Sequence, residues 1–348
     1  MSSGVLWQSD VPLQSLNTFG VKALARRFCR ASSEAELKAA AADCRDRGEV
    51  PLILGGGSNL LIVADLEVPV IQPQLRGMSV NALNHELSEV EVAAAEPWDA
   101  VVRFACEHRL WGIENLALIP GAAGAAPVQN IGAYGVELKD SLAWVDALDL
   151  HDGCVQRMGA ERLALAYRDS RFKQEPGRWV ILRLGLHLRS VARPRLDYAG
   201  LREALGEPVA LTPEDVAEAV RGIRRRKLPD PAVLGNAGSF FKNPEVAWTR
   251  AEALRGEFAD LPLFPGSRAG LSKLSAAWLI ERAGFKGYRR GDAGISAQHA
   301  LVLVNHGEAS GQELLALARE VAAGVEARFG VRLEPEPIVL GADFRSQV

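Results

Sequence analysis

The sequence predicts an α+β protein of two or three domains, and three observations support this prediction. The chain has 348 residues, more than one domain usually contains at roughly 100–200 residues each. Segments with helical periodicity and short apolar runs typical of strands occur throughout, without the steady strand–helix alternation of a doubly wound sheet. Hydrophobic residues make up 48% and charged residues 24%, a composition that excludes a disordered chain.

Charge and cysteine usage exclude several classes of protein. The formal net charge is −3, which argues against a surface built for nucleic acid or anionic lipid. The four cysteines form no C-x-x-C pair and the six histidines form no H-E-x-x-H motif, so we expect neither a disulfide framework nor a metal site. The N-terminus lacks the pattern of a signal peptide, and no apolar run approaches the ~18 residues of a membrane helix. We therefore expect a cytoplasmic protein.

Individual elements follow from local patterns. Residues 33–47 predict a helix that Ser33 caps and Gly48 ends. Residues 50–54 and 60–63 predict strands on either side of a glycine-rich loop. Two prolines at 229 and 231 indicate a linker after a basic helix. The patterns also predict helices at 98–108, 212–227, 272–283 and 310–329, and strands at 90–93, 144–150, 179–188 and 301–304.

The glycine-rich loop at 55–59 reads Gly-Gly-Gly-Ser-Asn. Consecutive glycines let backbone N–H groups turn inward and form a concave nest for an anion such as a pyrophosphate. The loop is not a G-x-G-x-x-G fingerprint, because Leu60 occupies the third glycine position, and it is not a P-loop, because no Gly-Lys-Ser/Thr follows. A tight hairpin turn is the alternative interpretation.

A second segment, residues 119–135, is rich in Gly, Ala and Pro and carries no charge. Small residues let the backbone approach a flat ligand closely, and the amides of Gln129 and Asn130 are able to contact its polar edge. The alternative is a flexible linker, but linkers favour serine and charged residues, which this stretch lacks. We therefore predict a packed, functional loop.

Two arginine-containing segments are candidates for binding anions. In residues 167–173, the planar guanidinium of Arg168 suits a carboxylate, although a surface turn with an Arg–Asp pair explains the segment equally well. In residues 221–227, five positive charges occur at the end of a predicted helix, with Arg221, Arg224 and Arg225 on one side. These charges either complement the helix dipole and face water or form a phosphate site.

A single serine lies between small and aromatic residues in the segment 235–244. It does not match the G-x-S-x-G nucleophile elbow, because Ala237 and Phe241 occupy the glycine positions. Ser239 therefore suits proton donation better than a hydrolase triad, and a glycine-rich turn with a buried serine is the alternative. Near the C-terminus, the proline that follows Glu336 favours an extended conformation there, and this carboxylate is either catalytic or exposed.

In this order and spacing, these motifs resemble those of the UDP-N-acetylenolpyruvoylglucosamine reductase family, flavoenzymes of peptidoglycan synthesis. The blocks Gly-Ser-Phe-Phe-Lys-Asn-Pro and Ile-Pro-Gly…Gln-Asn-Ile-Gly-Ala-Tyr-Gly are highly specific, and Tyr198 is similar to the tyrosine loop of the family's long form. One departure is that the family usually continues Glu-Val-Arg after its catalytic glutamate, where this chain has Glu-Pro-Ile at 336–338. The matching stretches are 16–20, 55–59, 112–138, 167–173, 227–244 and 333–336.

The resemblance implies a bound FAD held by an α+β fold of the vanillyl-alcohol-oxidase type, also called PCMH-type, and a separate α+β substrate-binding domain. The implied first FAD-binding subdomain is residues 1–74, to which residues 337–348 return. The second is residues 75–228, and the substrate-binding domain is residues 229–336. The resemblance also implies a monomer that binds neither nucleic acid nor a membrane.

The reaction implied by the resemblance is NADPH-dependent reduction of UDP-N-acetylglucosamine enolpyruvate to UDP-N-acetylmuramate through FAD, a step in cell wall synthesis, cell shape and cell division. The implied catalytic residues are Ser239, which supplies the proton, and Arg168 and Glu336, which stabilise negative charge beside the substrate carboxylate. The implied cofactor-binding residues are Gly55, Gly56, Gly57, Ser58, Asn59, Pro120, Gly121, Gln129, Asn130, Gly132 and Ala133. The implied substrate-binding residues are Tyr134, Tyr198, Arg224, Lys227 and Asn243.

Two other functions are compatible with parts of this pattern. A flavin oxidase of the same superfold, acting on another alcohol or sugar, predicts rapid turnover with oxygen and no need for Ser239. A catalytically inactive UDP-sugar-binding module predicts a protein without flavin colour. The presence of Ser239, Arg168 and Glu336 together argues against the inactive module, which has no reason to keep all three.

Overall fold

The secondary structure of this computed structural model, which describes residues 6–206, 210–342 and 344, mixes strands and helices in irregular order. The strands are β1 (Gln8–Pro12), β2 (Leu24–Ala31), β3 (Leu52–Ile53), β4 (Leu60–Ile62), β5 (Val70–Pro73), β6 (Met78–Ala82), β7 (Leu87–Ala93), β8 (Gly132–Ala133), β9 (Val136–Glu137), β10 (Leu142–Asp149), β11 (Val155–Gly159), β12 (Trp179–Arg189), β13 (Gly235–Ser239), β14 (Glu245–Ala247), β15 (Leu263–Pro265), β16 (Leu271–Leu274), β17 (Arg289–Arg290), β18 (Ala293–Ile295), β19 (Val302–Asn305) and β20 (Ile338–Leu340). The α-helices are α1 (Glu34–Asp46), α2 (Trp98–Glu107), α3 (Arg171–Gln174), α4 (Leu201–Leu205), α5 (Pro213–Lys227), α6 (Trp248–Glu257), α7 (Ala276–Arg282) and α8 (Gly311–Phe329).

Contacts divide the chain into two units. Unit 1 lies within residues 1–11, 25–56 and 67–226, and unit 2 lies within residues 12–24, 57–66 and 227–348. The division between the units falls inside the glycine-rich loop and at the end of α5. The three-domain boundaries expected from the sequence stay a prediction.

The first sheet of unit 1 has the strand order β1-β2-β5-β3, and β5 pairs in parallel with both β2 and β3. Helix α1 packs against this sheet, and Ser33 caps it by accepting the Glu36 N–H at 3.1 Å. The shared core is built from Cys29 and Ile71 of the sheet and Leu37, Ala40, Ala41 and Cys44 of the helix. After β3 the chain passes through the glycine-rich loop into β4, so the predicted strand–loop–strand order is confirmed.

The second sheet of unit 1 is antiparallel, with the strand order β11-β10-β12-β7-β6. Helices α2 and α5 bury their apolar faces in the core of this sheet, through side chains that include Trp98, Val101, Val216 and Val220. Trp98 also donates its Nε1–H to Leu116 O at 3.0 Å. These helices therefore hold the long segment between α2 and β8, which contains the small-residue loop.

Unit 2 contains two antiparallel sheets and a short parallel pair. The sheet β13-β19-β18-β17 packs against α8, and the sheet β14-β16-β15 packs against α6. Strand β20 pairs in parallel with β4. A capping box of Ser310 and Glu313 begins α8, and Gly330 ends it in the left-handed conformation.

Most predicted helices are confirmed, and one is wrong in its first part. Helices α1, α2, α5 and α8 lie within a residue or two of the predicted bounds. The predicted helix at 272–283 divides instead into β16 and α7. Ser275 separates them because its side chain accepts the Trp278 N–H at 3.3 Å and so caps α7. Strand β16 pairs on both sides, with β14 and β15, and this tertiary pairing overrides its helical pattern.

Candidate active site

Two of the predicted cofactor-binding segments lie against each other in unit 1. A methyl group added at Gly56 would lie 3.0 Å from the Gly121 Cα, and one added at Gly55 would lie 3.6 Å from the Ala125 Cβ. A large side chain at either position would therefore push the segments apart. The structure thus brings the start of the glycine-rich loop and the segment after Pro120 together, with small residues on both sides.

In unit 2, the third glycine of the loop is required by the backbone. Gly57 has a φ of +63°, in the left-handed region that favours glycine, and a methyl group there would lie 1.9 Å from Leu16 O. The Thr18 N–H donates to Gly57 O at 3.2 Å. Asn59 O accepts the Ile338 N–H at 3.0 Å, so the C-terminal strand holds the other end of this turn.

The glycine-rich loop and the small-residue segment fit the predicted FAD. A pyrophosphate needs backbone N–H groups that are not covered by side chains, and glycines at 55–57 supply that backbone. The isoalloxazine ring is flat, and the segment 121–126 consists of glycine and alanine alone. Within the described residues, no group of three or more His, Cys, Asp or Glu side chains is arranged to hold a metal ion.

A strained hairpin turn presents Tyr134. Strands β8 and β9 pair across a two-residue turn formed by Tyr134 and Gly135, whose φ angles are +49° and +82°. Two positive φ angles define a type I′ turn, which usually contains Asn-Gly. A tyrosine in this conformation is uncommon, and such strain is concentrated at functional sites.

Asn130 shapes the same loop from inside. Its side chain is fully buried, and its φ is +45°. The Asn130 Nδ2 donates to Glu137 Oε2 and to Ala166 O, both at 3.0 Å, and its Oδ1 accepts the Lys139 N–H at 2.9 Å. Both amide hydrogens are therefore used within the protein. Its predicted cofactor contact, like that of Gln129, stays a prediction.

The Arg168 guanidinium lies against the hairpin. Its Nη2 donates to Gly132 O at 3.0 Å, and Arg168 itself has a φ of +54°. Lys173 Nζ donates to Arg168 O at 3.1 Å and so supports this backbone. One edge of the guanidinium thus faces the strand that leads directly into Tyr134.

Two arginines and two tyrosines form a cluster within unit 1. The rings of Tyr134 and Tyr198 are 4.8 Å apart between centroids, at an interplanar angle of 66°. Burial and the positive charge of Arg168 lower the pKa of Arg224, although Tyr134 opposes this effect. Burial raises the pKa of Tyr134, against the opposing influence of Arg224. Two guanidinium groups in mutual repulsion favour an anionic ligand between or beside them.

The structure places Arg221 differently from both interpretations of the basic segment. Its side chain is fully buried rather than facing water or a ligand. Its Nε and Nη2 donate to Asp99 Oδ1 at 3.2 and 3.1 Å, and its Nη1 donates to Glu214 and Glu218 at 3.0 and 2.9 Å. Arg221 is therefore a structural residue, whereas Arg225 is exposed.

In unit 2, the residues that directly follow Ser239 pair with the segment that carries Glu336. Ser239 is the last residue of β13 and lies opposite Val302. An antiparallel bridge joins Phe241 to Pro335, and the Glu336 N–H donates to Phe240 O at 2.8 Å. Two predicted catalytic residues that are 97 positions apart in sequence (336 − 239) thus lie on adjacent segments, and both are half-buried.

Two predicted substrate-binding residues also lie in unit 2. Asn243 accepts the Ala276 N–H through its Oδ1 at 3.0 Å, which leaves the Nδ2 side of its amide for a ligand. Lys227 ends α5 and is exposed. Burial, followed by the positive charges of Lys227 and Lys286, lowers the pKa of His299.

Ile338, at the position where the family usually has arginine, is 43% exposed in β20.

Sequence reasoning missed two residues that organise unit 1. Asp99 binds Arg221 and accepts the Leu118 N–H at 2.7 Å. Asn115 is 1% exposed and donates to the backbone of both tyrosine-bearing segments. Asn115 lies inside the block 112–138, but its sequence context does not distinguish a buried bridging amide from an exposed one.

Comparisons with known proteins agree with this arrangement. A family model described as an FAD binding domain matches residues 25–159, and one described as the UDP-N-acetylenolpyruvoylglucosamine reductase C-terminal domain matches residues 230–340. The UDP-N-acetylenolpyruvoylglucosamine reductase of Pseudomonas aeruginosa is 48% identical over 332 residues, covering 95% of this chain and 98% of the relative. That of Xylella fastidiosa is 46% identical over 341 residues, covering 97% of this chain and 96% of the relative.

Solved structures show the same similarity. The crystal structure of UDP-N-acetylenolpyruvylglucosamine reductase from Thermus caldophilus has a TM-score of 0.67 at 26% identity, covering 97% of this chain and 100% of that one. The 4-ethylphenol oxidase from Gulosibacter chungangensis has a TM-score of 0.50 at 13% identity, covering 94% of this chain and 84% of that one. The second match concerns the fold alone.

The fold and the glycine-rich loops define a flavin-binding oxidoreductase of the vanillyl-alcohol-oxidase type, which confirms the predicted fold class. More specifically, the chain belongs to the UDP-N-acetylenolpyruvoylglucosamine reductase family. Membership confirms the predicted enzyme class, the use of FAD with NADPH as reductant, and the reduction of UDP-N-acetylglucosamine enolpyruvate in peptidoglycan synthesis. Within the described residues, no helix has the length and apolar character needed to cross a membrane.

Proposed function

We propose that Ser239 is the proton donor of this reductase and that Arg168 and Glu336 stabilise the negative charge of the transition state. Reduction of the enolpyruvyl double bond to UDP-N-acetylmuramate adds a hydride to one carbon and a proton to its neighbour. FAD, when bound, supplies the hydride after accepting electrons from NADPH. The protein must therefore supply the proton and stabilise the charge that builds up beside the substrate carboxylate.

The observation that carries this proposal is the pairing of residues 240–242, which directly follow Ser239, with residues 334–336. A hydrogen-bonded backbone on both sides fixes these two residues on a rigid element, which suits a proton transfer that requires a defined position. The half-buried environment of Ser239 lowers the local dielectric, which strengthens charge stabilisation. A protonated Glu336 would donate a hydrogen bond to the developing enolate-like charge.

Arg168 suits the substrate carboxylate because its planar guanidinium is able to donate two parallel hydrogen bonds to a carboxylate, and its Nη2 contact with Gly132 O at 3.0 Å helps to fix its position. The half-buried Arg224, with Tyr134 and Tyr198, suits the diphosphate and the nucleotide sugar. Lys227 and Asn243 provide further donors to the same substrate.

Small residues in the two loops leave room for FAD, with Gly55–Asn59 at its pyrophosphate and Pro120–Ala133 along its ring. The monomeric state and the cytoplasmic location stay predictions from the sequence.

An absorption spectrum of the purified protein, followed by anaerobic titration, tests this function. We expect flavin absorbance that NADPH bleaches and that UDP-N-acetylglucosamine enolpyruvate restores without oxygen. A protein that shows no flavin absorbance even after addition of FAD would contradict the proposal. Rapid reoxidation by oxygen with no response to the enolpyruvyl substrate would favour an oxidase instead.

A further inference from the structure

Asn115 joins the two segments of unit 1 that carry Tyr134 and Tyr198. Its side chain is 1% exposed, and its Nδ2 donates to Tyr134 O and to Arg195 O, both at 2.9 Å. Arg195 lies three residues before Tyr198 in an extended segment without regular secondary structure. One buried amide therefore holds the backbone of both segments.

The structure uses the Nδ2 donors of the Asn115 amide and not its Oδ1 acceptor. The Asn115 Oδ1 is buried and has no hydrogen-bond partner among the described residues. Turning the amide over would direct this oxygen at two carbonyl oxygens, which repel it, so the two carbonyls determine its orientation. A buried acceptor without a partner is costly, and the two bonds made by Nδ2 offset that cost.

Both tyrosine-bearing segments need this support. Tyr134 adopts the left-handed conformation that aromatic residues avoid, so an external hydrogen bond helps to maintain it. Tyr198 is 44% exposed, so burial alone does not fix its ring. Arg195 Nη1 is anchored on Asp140 Oδ2 at 2.8 Å, which holds the segment from its outer side. The tyrosine rings meet in an edge-on pair at 4.8 Å.

We propose that Asn115 is a positioning residue that sets the Tyr134–Tyr198 pair for the UDP-sugar substrate. This inference rests on the proposed function, in which both tyrosines bind the substrate. Without the two donors, Tyr134 leaves its strained conformation and the Tyr198 segment separates from it. The substrate then loses affinity, while the proton-transfer groups of unit 2 keep their own hydrogen bonds.

The test compares Asn115→Ala with the unmodified holoenzyme. We expect the Kd for UDP-N-acetylglucosamine, measured by isothermal titration calorimetry, and the KM for the enolpyruvyl substrate to rise about tenfold or more, with kcat within about twofold. Asn115→Leu, which has a similar volume but neither donors nor charge, should give the same result. It replaces Asn115→Ala if that variant does not fold.

Asn305→Ala is the matched control. Asn305 is a buried amide of unit 2 that donates in the same way to Phe19 O at 3.0 Å and Ala309 O at 3.3 Å. We expect a similar decrease in Tm for this variant, with Kd and KM unchanged. An equal change in Kd for Asn305→Ala and Asn115→Ala, or no change for Asn115→Ala and Asn115→Leu, would overturn the proposal.

Tyr198→Ala separates this inference from the proposed function. If Tyr198→Ala weakens binding but the Asn115 variants do not, only the role of Asn115 is wrong. If Tyr198→Ala and Tyr134→Ala both leave the Kd and the KM unchanged, the substrate-binding assignment itself is wrong, and the role of Asn115 falls with it.

Discussion

Asp99 and Arg221 connect helices α2 and α5 through an ion pair in which Arg221 is fully buried and Asp99 half-buried, and the Arg221 Nε and Nη2 donate to Asp99 Oδ1 at 3.2 and 3.1 Å. The same carboxylate oxygen accepts the Leu118 N–H at 2.7 Å. Leu118 O in turn accepts from Arg224 Nε at 3.2 Å, and Leu118 has a φ of +59°. The ion pair thus supports both the strained residue that leads into the small-residue loop and the arginine proposed to bind substrate.

Removing the Arg221 charge should destabilise unit 1. In Arg221→Met, the carboxylate of Asp99 loses its buried partner, and Glu214 and Glu218 are left facing each other. We expect the free energy of unfolding, measured by urea denaturation, to fall by about 3 kcal/mol. Arg225→Met is the control on the same helix, because the Arg225 side chain is 57% exposed, and we expect a change within about 0.5 kcal/mol. Equal effects of the two variants would contradict this account.

The ion pair of Asp99 and Arg221 also predicts how the free energy of unfolding depends on pH. Burial raises the pKa of Asp99, but the hydrogen bonds of the Leu118 N–H and Arg221 outweigh it, so the pKa lies below its ordinary value of 3.8. A lowered pKa contributes stability above pH 3.8 that is lost as the pH falls through the folded-state value.

At pH 7 we therefore expect Asp99→Asn to have a lower free energy of unfolding than the unmodified protein. On acidification, the free energy of unfolding of the variant should fall by less. Urea denaturation as a function of pH measures this difference. Asp197→Asn is the control, since the side chain of Asp197 is 95% exposed, and it should keep the unmodified acid profile. An acid profile of Asp99→Asn that parallels the unmodified protein would show that the carboxylate does not contribute in this way.

We expect alanine substitutions at Gly57 and Gly55 of the glycine-rich loop to have very different effects on thermal stability. Gly57→Ala would place its Cβ 1.9 Å from Leu16 O in a left-handed conformation, so we expect a Tm decrease of several degrees or an unfolded protein. Gly55→Ala meets its nearest neighbour at 3.6 Å and should fold normally. If the loop holds the cofactor, Gly55→Ala also reduces the FAD content in the absorption spectrum. Similar Tm values for the two variants would contradict the role of the Gly57 backbone.

Local patterns predicted the elements whose signals are contained within a few residues. Ser33 caps α1 as expected, because a capping side chain acts on the turn that follows it, and α8 begins within one residue of its predicted start. The first part of the helix predicted at 272–283 is wrong, because the pairing of β16 depends on β14 and β15, which its own residues do not encode. The motifs in 55–59 and 235–244 were found because their composition is unusual.

The sequence does not reveal which side chains contact residues that are distant along the chain. Arg221 was expected to face water or a phosphate, and its partner Asp99 is 122 residues away. Asn115 was not predicted, because its two acceptors are backbone carbonyls, which every residue possesses. The adjacency of Ser239 and Glu336 was implied by the resemblance alone, and the bridge between Phe241 and Pro335 supplies its structural basis.

Anaerobic stopped-flow spectroscopy of Ser239→Ala tests whether Ser239 donates the proton. Ser272→Ala, which removes a buried hydroxyl from another sheet of unit 2, is the control and should behave as the unmodified enzyme. For Ser239→Ala we predict that NADPH reduces the flavin at a rate within about twofold of normal. Reoxidation by UDP-N-acetylglucosamine enolpyruvate should slow by about 10²–10⁴-fold. Reoxidation at the normal rate would contradict the account.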